Sequence, residues 1–138
     1  MKEKVFPASV TALDDVLEFL DTELEPYDIP VKTRFSLKIA VEEIFVNVAR
    51  YAYEKDDGDV TIALESDEDG ITIVFIDCGI PFDPLAKPDP DITLSAEKRG
   101  IGGLGIFMVK KTMDQLGYEY RDGKNYFTMH KNFKRRPL

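Results

Sequence analysis

Three short stretches of the chain carry residue types that could do chemistry. The first is Glu43-x-x-x-Asn47 within RFSLKIAVEEIFVNVARY. At about 100° per residue, a carboxylate and a carboxamide four positions apart emerge on one side of a helix, one turn from each other. Ser36 and Arg50 extend that strip, and Ile39, Ala40 and Val46 flank it, so polar oxygens stand beside apolar neighbours. Two such oxygens can reach one hard cation with its water shell, or position one hydroxyl. An ordinary amphipathic helix with a solvated polar strip has the same pattern.

The second stretch is IVFIDCGIPFDP, in which a hydrophobic strand delivers Asp77 and is followed by Gly79. An acidic side chain at the mouth of a sheet accepts a hydrogen bond from an exocyclic amine, and a neighbouring glycine lets a planar ligand approach the backbone. A plain turn after a strand has the same pattern. The third stretch is Arg99-Gly100-Ile101-Gly102-Gly103-Leu104-Gly105, which runs directly into IFMVKKTMDQL. A glycine-rich loop opening a helix exposes backbone N–H groups and the positive end of the helix dipole to phosphate oxygens, with Gly102 and Gly105 predicted closest. It lacks the Lys-Ser or Lys-Thr of a Walker A loop, and no Rossmann strand precedes it.

These stretches need elements to hold them. KEKVF reads as a strand stopped by Pro7, with Ser9 or Thr11 capping a helix whose apolar face is Val10, Leu13, Leu17, Leu20 and Leu24. Pro26 and Pro30 bracket a turn. A second helix runs from Val31 or Thr33 to Tyr53, with Leu37, Val41, Ile44, Val48 and Tyr51 on its core face. Strands Val60 to Glu65 and Ile71 to Ile76 form a hairpin across SDEDG. From Asp77 to Gly105, four prolines and five glycines break any period, so this span reads as a long functional loop. A third helix from Leu104 buries Ile106, Val109, Met113 and Leu116. Strands Tyr118 to Arg121 and Tyr126 to Lys131 close the chain across Asp122-Gly123. Short turns between most neighbouring strands predict a single α+β domain over residues 1–138: a two-layer sandwich, its mixed, mostly antiparallel sheet carrying helices on one face.

Composition narrows the function. The 138 residues are 43% hydrophobic and 32% charged, which suits one globular core. A net charge of −8 argues against direct binding to nucleic acid or an anionic membrane. The local basic cluster Lys131, Lys134, Arg135 and Arg136 reads as a solvated terminus. No apolar run approaches the roughly 18 residues of a membrane span. MKEKVFPASV does not read as a signal peptide, so a cytoplasmic protein is expected. With one cysteine, Cys78, and one histidine, His130, zinc is not expected, and any metal is predicted to be held by oxygen.

In order and spacing, Glu43-x-x-x-Asn47, Asp77-x-Gly79 and Gly103-x-Gly105 resemble the N, G1 and G2 boxes of the GHKL ATPase superfamily, which includes gyrase, sensor histidine kinases and the MutL repair protein. PFDP after the aspartate and the segment GLGIFMVKK look most like the bacterial anti-sigma-factor serine kinases. The resemblance covers Thr33 to Lys131 and implies the Bergerat, or histidine-kinase-like ATPase, fold with ATP and Mg²⁺ as ligands. It implies that Asn47 helps hold Mg²⁺ against the triphosphate and that Glu43 orients or deprotonates the attacking hydroxyl. Asp77 would recognise the adenine amino group with Gly79 under the ring. Asp83 to Gly103 would form the ATP lid, and Gly102, Gly103 and Gly105 would border the phosphates. Lys98 and Arg99 are candidates for a γ-phosphate contact, and Thr128 for the late-strand threonine that supports the aspartate. Two departures stand out: Pro81 replaces the second glycine of Asp-x-Gly-x-Gly, and Arg50-Tyr51 stands where many relatives carry histidine.

The activity implied is that of an ATP-dependent serine/threonine kinase. It would sequester a sigma factor and phosphorylate a serine of an anti-sigma-factor antagonist, regulating transcription, with a homodimer as an option. The alternative from another class is a nucleotide-gated binding module without phosphoryl transfer, in which ATP orders the lid and switches a protein surface. A sensor histidine kinase core is less favoured. No dimerising phosphoacceptor helix is read in the chain, and His130 falls on a closing strand, where a structural role is expected.

Overall fold

The computed structural model describes residues 1–53, 58–86 and 104–133. Strand β1 (Lys2–Pro7) leads through a 3₁₀ turn (Val10–Ala12) into helix α1 (Leu13–Leu24) and helix α2 (Val31–Tyr51). Strands β2 (Asp59–Ser66) and β3 (Gly70–Asp77) follow, then a second 3₁₀ turn (Pro84–Ala86), helix α3 (Leu104–Thr112) and strands β4 (Gln115–Arg121) and β5 (Lys124–Asn132). The strands lie in one sheet in the order β1-β2-β3-β5-β4, and every pairing is antiparallel. The expected mixed, mostly antiparallel sheet is thus wholly antiparallel among the described residues.

Local chemistry explains the two hairpins. In the β2–β3 turn the Asp67 carboxylate accepts the N–H groups of Asp69 at 2.8 Å and Gly70 at 3.1 Å, tightening the loop. Between β4 and β5, Asp122 and Gly123 have φ of 52° and 76°, the left-handed pair that a two-residue type I′ turn requires.

Register then assigns the faces. Val60, Ile62 and Leu64 of β2, Ile71, Ile73 and Phe75 of β3, and Phe127 and Met129 of β5 are buried on the side where the helices pack. They share one core with Val16, Leu20 and Leu24 of α1, Leu37, Val41, Ile44 and Phe45 of α2, and Ile106 and Val109 of α3. Each fully buried side chain of this size contributes about 1.5–3 kcal/mol. The intervening residues Thr72, Val74, Ile76, Tyr126, Thr128 and His130 lie on the opposite, half-exposed face. On that face His130 Nδ1 meets Thr72 Oγ1 at 2.8 Å and Nε2 meets Asn132 Oδ1 at 2.9 Å.

Three expectations about packing need correction. Val10 is 48% exposed because residues 10–12 form a 3₁₀ turn capped by Ser9, and α1 buries Val16 instead. Tyr51 is exposed, while Phe45 is fully buried, because α2 packs against both α1 and α3 rather than along one seam. Leu116 belongs to β4, since α3 ends at Thr112. Residues 134–136 of the basic tail lie outside the described residues. No helix among those described is long and apolar enough to cross a membrane.

Candidate functional site

The end of β3 delivers Asp77 to the helix-covered side of the sheet, where the residue is only 5% exposed. A carboxylate buried this far must find donors. Its Oδ1 accepts the Gly79 N–H at 2.9 Å and an Asn125 Nδ2 hydrogen at 2.9 Å. The second contact follows from register, because Asp77 pairs directly with Asn125 across β3 and β5. Asn125, also 5% exposed, donates its other hydrogen to Ile80 O at 2.9 Å. Its Oδ1 accepts the Phe82 N–H at 3.2 Å and the Tyr118 hydroxyl. Among the described residues no hydrogen bond ends on Asp77 Oδ2, so the carboxylate keeps one uncommitted acceptor.

Gly79 brings this strand end onto α2. A Cβ there would stand 2.1 Å from the Ala52 carbonyl oxygen, so only a glycine fits, and Ile80 N–H donates to that same carbonyl at 2.9 Å. The close approach leaves a pocket of about 30 Å³ whose apolar walls include Ile44, Val48, Phe82 and Phe127, with Asn47, Asp77, Asn125 and Tyr118 supplying polar groups. Apolar walls around one fixed acceptor suit a flat ring bearing an N–H donor. The present volume holds on the order of one water, so a ring enters only as the pocket walls part. Burial pushes the Tyr118 phenol above its usual pKa, opposed by the Phe82 N–H it accepts and reinforced by Asp83 and Asp77. Below the strand end, Tyr53 accepts the Cys78 N–H at 3.0 Å and donates to Asp59 O at 2.5 Å; burial raises its pKa too.

Farther along α2, Glu43 and Asn47 are both half-buried, and neither makes a hydrogen bond or ion pair with the described residues. Glu43 lies against the first turn of α3: a Cβ on Gly105 would fall 2.0 Å from its Cδ and 2.2 Å from Oε2. The positive end of the α3 dipole therefore faces the Glu43 carboxylate. Two uncommitted oxygens one turn apart fit a hard cation that keeps much of its water shell. The described residues hold no cluster of three or more His, Cys, Asp or Glu that would make a protein-only metal site.

Of the residues singled out from sequence, the structure brings Asn47 and Asp77 to one pocket, packs Gly79 against Ala52 in the wall of that pocket, and sets Glu43 beside Gly105. Lys98, Arg99, Gly102 and Gly103 lie outside the described residues, as does the lid stretch beyond Ala86. Thr128 is a correction. It pairs with Val74, three positions from Asp77 along β3, and lies on the opposite face of the sheet, so it cannot support the carboxylate. Asn125 does so instead. Sequence reasoning missed Asn125 and Tyr118. The Asp122-Gly123 turn fixes their place in the β4–β5 hairpin, but the long-range β3–β5 pairing sets Asn125 opposite Asp77.

The topology and the Asp77 strand end agree with a match of residues 6–131 to the histidine kinase-like ATPase domain. The chain belongs to that family. This ATPase-family domain is similar to the serine-protein kinase RsbW of Listeria monocytogenes serotype 4a (strain HCC23), with 33% identity over 92 residues, covering 63% of this chain and 59% of the relative. It is similar to RsbW of Bacillus cereus (strain B4264) at 32% over 91 residues, covering 63% and 57%. The match thus spans less than two thirds of these relatives. Among solved structures, the RsbU and RsbW domains of Rv1364c from Mycobacterium tuberculosis superpose with a TM-score of 0.62 at 16% identity, over 99% of this chain and 34% of that one. The catalytic domain of histidine kinase ThkA gives 0.58 at 15% identity, over 96% and 97%. At such identities these two likenesses establish that the ATPase-family domain shares their fold.

Proposed function

We propose that the chain binds Mg·ATP and transfers the γ-phosphoryl group to a serine of a small antagonist protein, as an anti-sigma-factor kinase that also sequesters a sigma factor. The observation that carries this reading is that α2 both walls the Asp77 pocket and presents Glu43 and Asn47 without hydrogen-bond or ion-pair partners among the described residues. Base recognition and phosphoryl chemistry then share one rigid element. The relatives named serine-protein kinase support the same reading.

In this scheme Asp77 Oδ2 accepts the adenine amino group, and Gly79 lets the ring lie against backbone. Asn47 is the residue that would hold Mg²⁺, whose charge offsets that of the phosphates. Arg99, Gly102, Gly103 and Gly105 border the triphosphate. The serine Oγ forms a bond to the γ-phosphorus as the bond to the β,γ-bridging oxygen breaks. ADP leaves with the electron pair, and the serine proton passes to the Glu43 carboxylate. The chain acts as a single ATP-binding domain in the cytoplasm, with a sigma factor and an antagonist as protein partners and a homodimer as an option.

The test incubates the chain with γ-labelled ATP, Mg²⁺ and candidate antagonist proteins. Label on an antagonist serine, absent with Glu43→Gln, is the expected result. A second reading, the nucleotide-gated module, draws on the closed pocket: Phe82 and Pro84 line it, so a base that opens it shifts the segment they belong to. Binding of ATP and a sigma factor without transfer to any antagonist would favour it.

A further inference from the structure

The outward face of α2 is not wholly polar. Val31, Phe35 and Ile39 follow one another at four-residue spacing and are 85%, 63% and 41% exposed. At about 100° per residue they form one narrow strip. Single exposed apolar residues are ordinary, but three aligned on one helix face mark a contact surface. The adjoining strip of α2 carries Lys32, Ser36 and Glu43.

Lys32 and Ser36 also line a cleft of about 700 Å³ that α2 forms with the end of α3 and with β5. Those two elements add Lys111 and Lys131. Lys131 Nζ donates to Thr112 O at 2.7 Å and lies 3.9 Å from Asp114 Oδ2. Asp114 is the one acidic residue lining the cleft, and it also accepts the Asn132 N–H at 2.6 Å. Lys111 Nζ stands 5.3 Å from the centre of the Phe107 ring, and neither it nor Lys32 has an acidic partner among the described residues. The amino end of α2 has no side-chain cap and no acidic residue in its first turn, so its dipole adds to the positive potential. In a chain of net charge −8, this cleft sets three lysines against one aspartate.

An apolar strip beside a positive cleft complements a polypeptide segment that carries both apolar and carboxylate side chains. A small anion would use the lysines and leave Phe35 uncovered, whereas a protein segment uses both. The surface also leads to the proposed chemistry: Lys32 and Glu43 stand eleven positions apart on one strip, about 16 Å at 1.5 Å per residue. Resting on the reading of Glu43 as the base, we propose that this strip and cleft dock the protein substrate, holding an acidic, partly apolar segment of the antagonist. An extended segment covers that span in about five residues, which sets the distance between its carboxylates and the phosphoacceptor serine.

The experiment gives purified candidate antagonists, Mg²⁺ and γ-labelled ATP to the full chain and to its Lys32→Glu, Lys111→Glu, Phe35→Ser and Lys4→Glu variants. Lys4, exposed on β1, controls for charge reversal away from the cleft. Each of the first three changes is expected to raise KM for the antagonist by about 10-fold, while kcat, ADP affinity and the thermal midpoint hold. Lys4→Glu should leave that KM within about twofold. Added salt should raise it less in Lys32→Glu than in the unaltered chain, where there is more attraction to screen. Acetylation of surface lysines, read by mass spectrometry, supplies a readout that needs no phosphoryl transfer: bound antagonist should protect Lys32 and Lys111 but not Lys4.

Transfer with an unchanged antagonist KM in the three variants overturns the docking site and leaves the kinase reading standing. An equal rise with Lys4→Glu would reduce the effect to net charge and overturn the docking site as well. Binding without transfer, with Lys32 and Lys111 protected, upholds the docking site and brings down the kinase reading. The same binding without protection, or neither binding nor transfer with any candidate, brings down both.

Discussion

Glu43 and Gly105 are in such close contact that a methyl group on Gly105 would stand 2.0 Å from the Glu43 carboxyl carbon. The atom in the way is the end of a flexible side chain, so Gly105→Ala should move Glu43 rather than break α3. Alanine is itself better in a helix than glycine by up to about 1 kcal/mol, so the melting temperature should hold. The proposed phosphoryl transfer should fall by about 10²-fold through misplacement of the carboxylate. A thermal melt paired with a turnover assay checks this, and a large loss of stability at unchanged turnover would count against it.

Glu43 and Asn47 share a strip of α2, but their substitutions should behave differently. Glu43→Gln keeps size and polarity while removing the proposed base, so the proposed phosphoryl transfer should drop by about 10²–10⁴-fold with nucleotide affinity retained. Asn47→Ala removes the proposed cation ligand and should weaken nucleotide binding as well as turnover, most visibly when Mg²⁺ is limiting. Calorimetry across a Mg²⁺ series separates the two. Identical behaviour of the variants would contradict their separate roles.

Gly79→Ala meets backbone rather than a movable side chain, since its Cβ would lie 2.1 Å from the Ala52 carbonyl oxygen. Either the strand end lifts from α2 or α2 shifts, and overpacking of this kind costs about 1–3 kcal/mol. Urea denaturation should show that loss, accompanied by weaker binding of adenine nucleotides. A midpoint equal to that of the unaltered chain would show that the contact is not tight in solution.

Tyr53 and Tyr118 hold their phenolic protons more tightly in the folded state than in the unfolded chain, chiefly because burial disfavours the phenolate. The stability they contribute is fully present below the unfolded tyrosine value of 10.0 and is lost as pH rises through the higher folded values. Unfolding free energy measured from about pH 9 to 11 should therefore decline, and Tyr53→Phe should make the decline shallower. A steeper decline in that variant would reverse the sign of the argument.

Local spacing alone makes several parts of this protein legible. Period-two runs such as Val60, Ile62 and Leu64 and the I′ dipeptide Asp122-Gly123 place strands and a hairpin without reference to the rest of the chain. The four-residue spacing of Glu43 and Asn47 places both on one strip of α2, because helical rise and twist are the same in any context. Asp77 at the end of β3 was legible for the same reason.

Which distant residues meet follows from the packed fold and not from local spacing. Thr128 and Asn125 stand on the same strand, and a three-residue difference puts them on opposite faces, so the choice between them required the β3–β5 register. Phe45 is buried because α2 is packed by two helices at once, a three-body arrangement that a single helical period does not encode. Gly105 likewise appears in sequence as part of a glycine-rich loop, and only the packing of α3 on α2 shows that its missing side chain is the space Glu43 occupies.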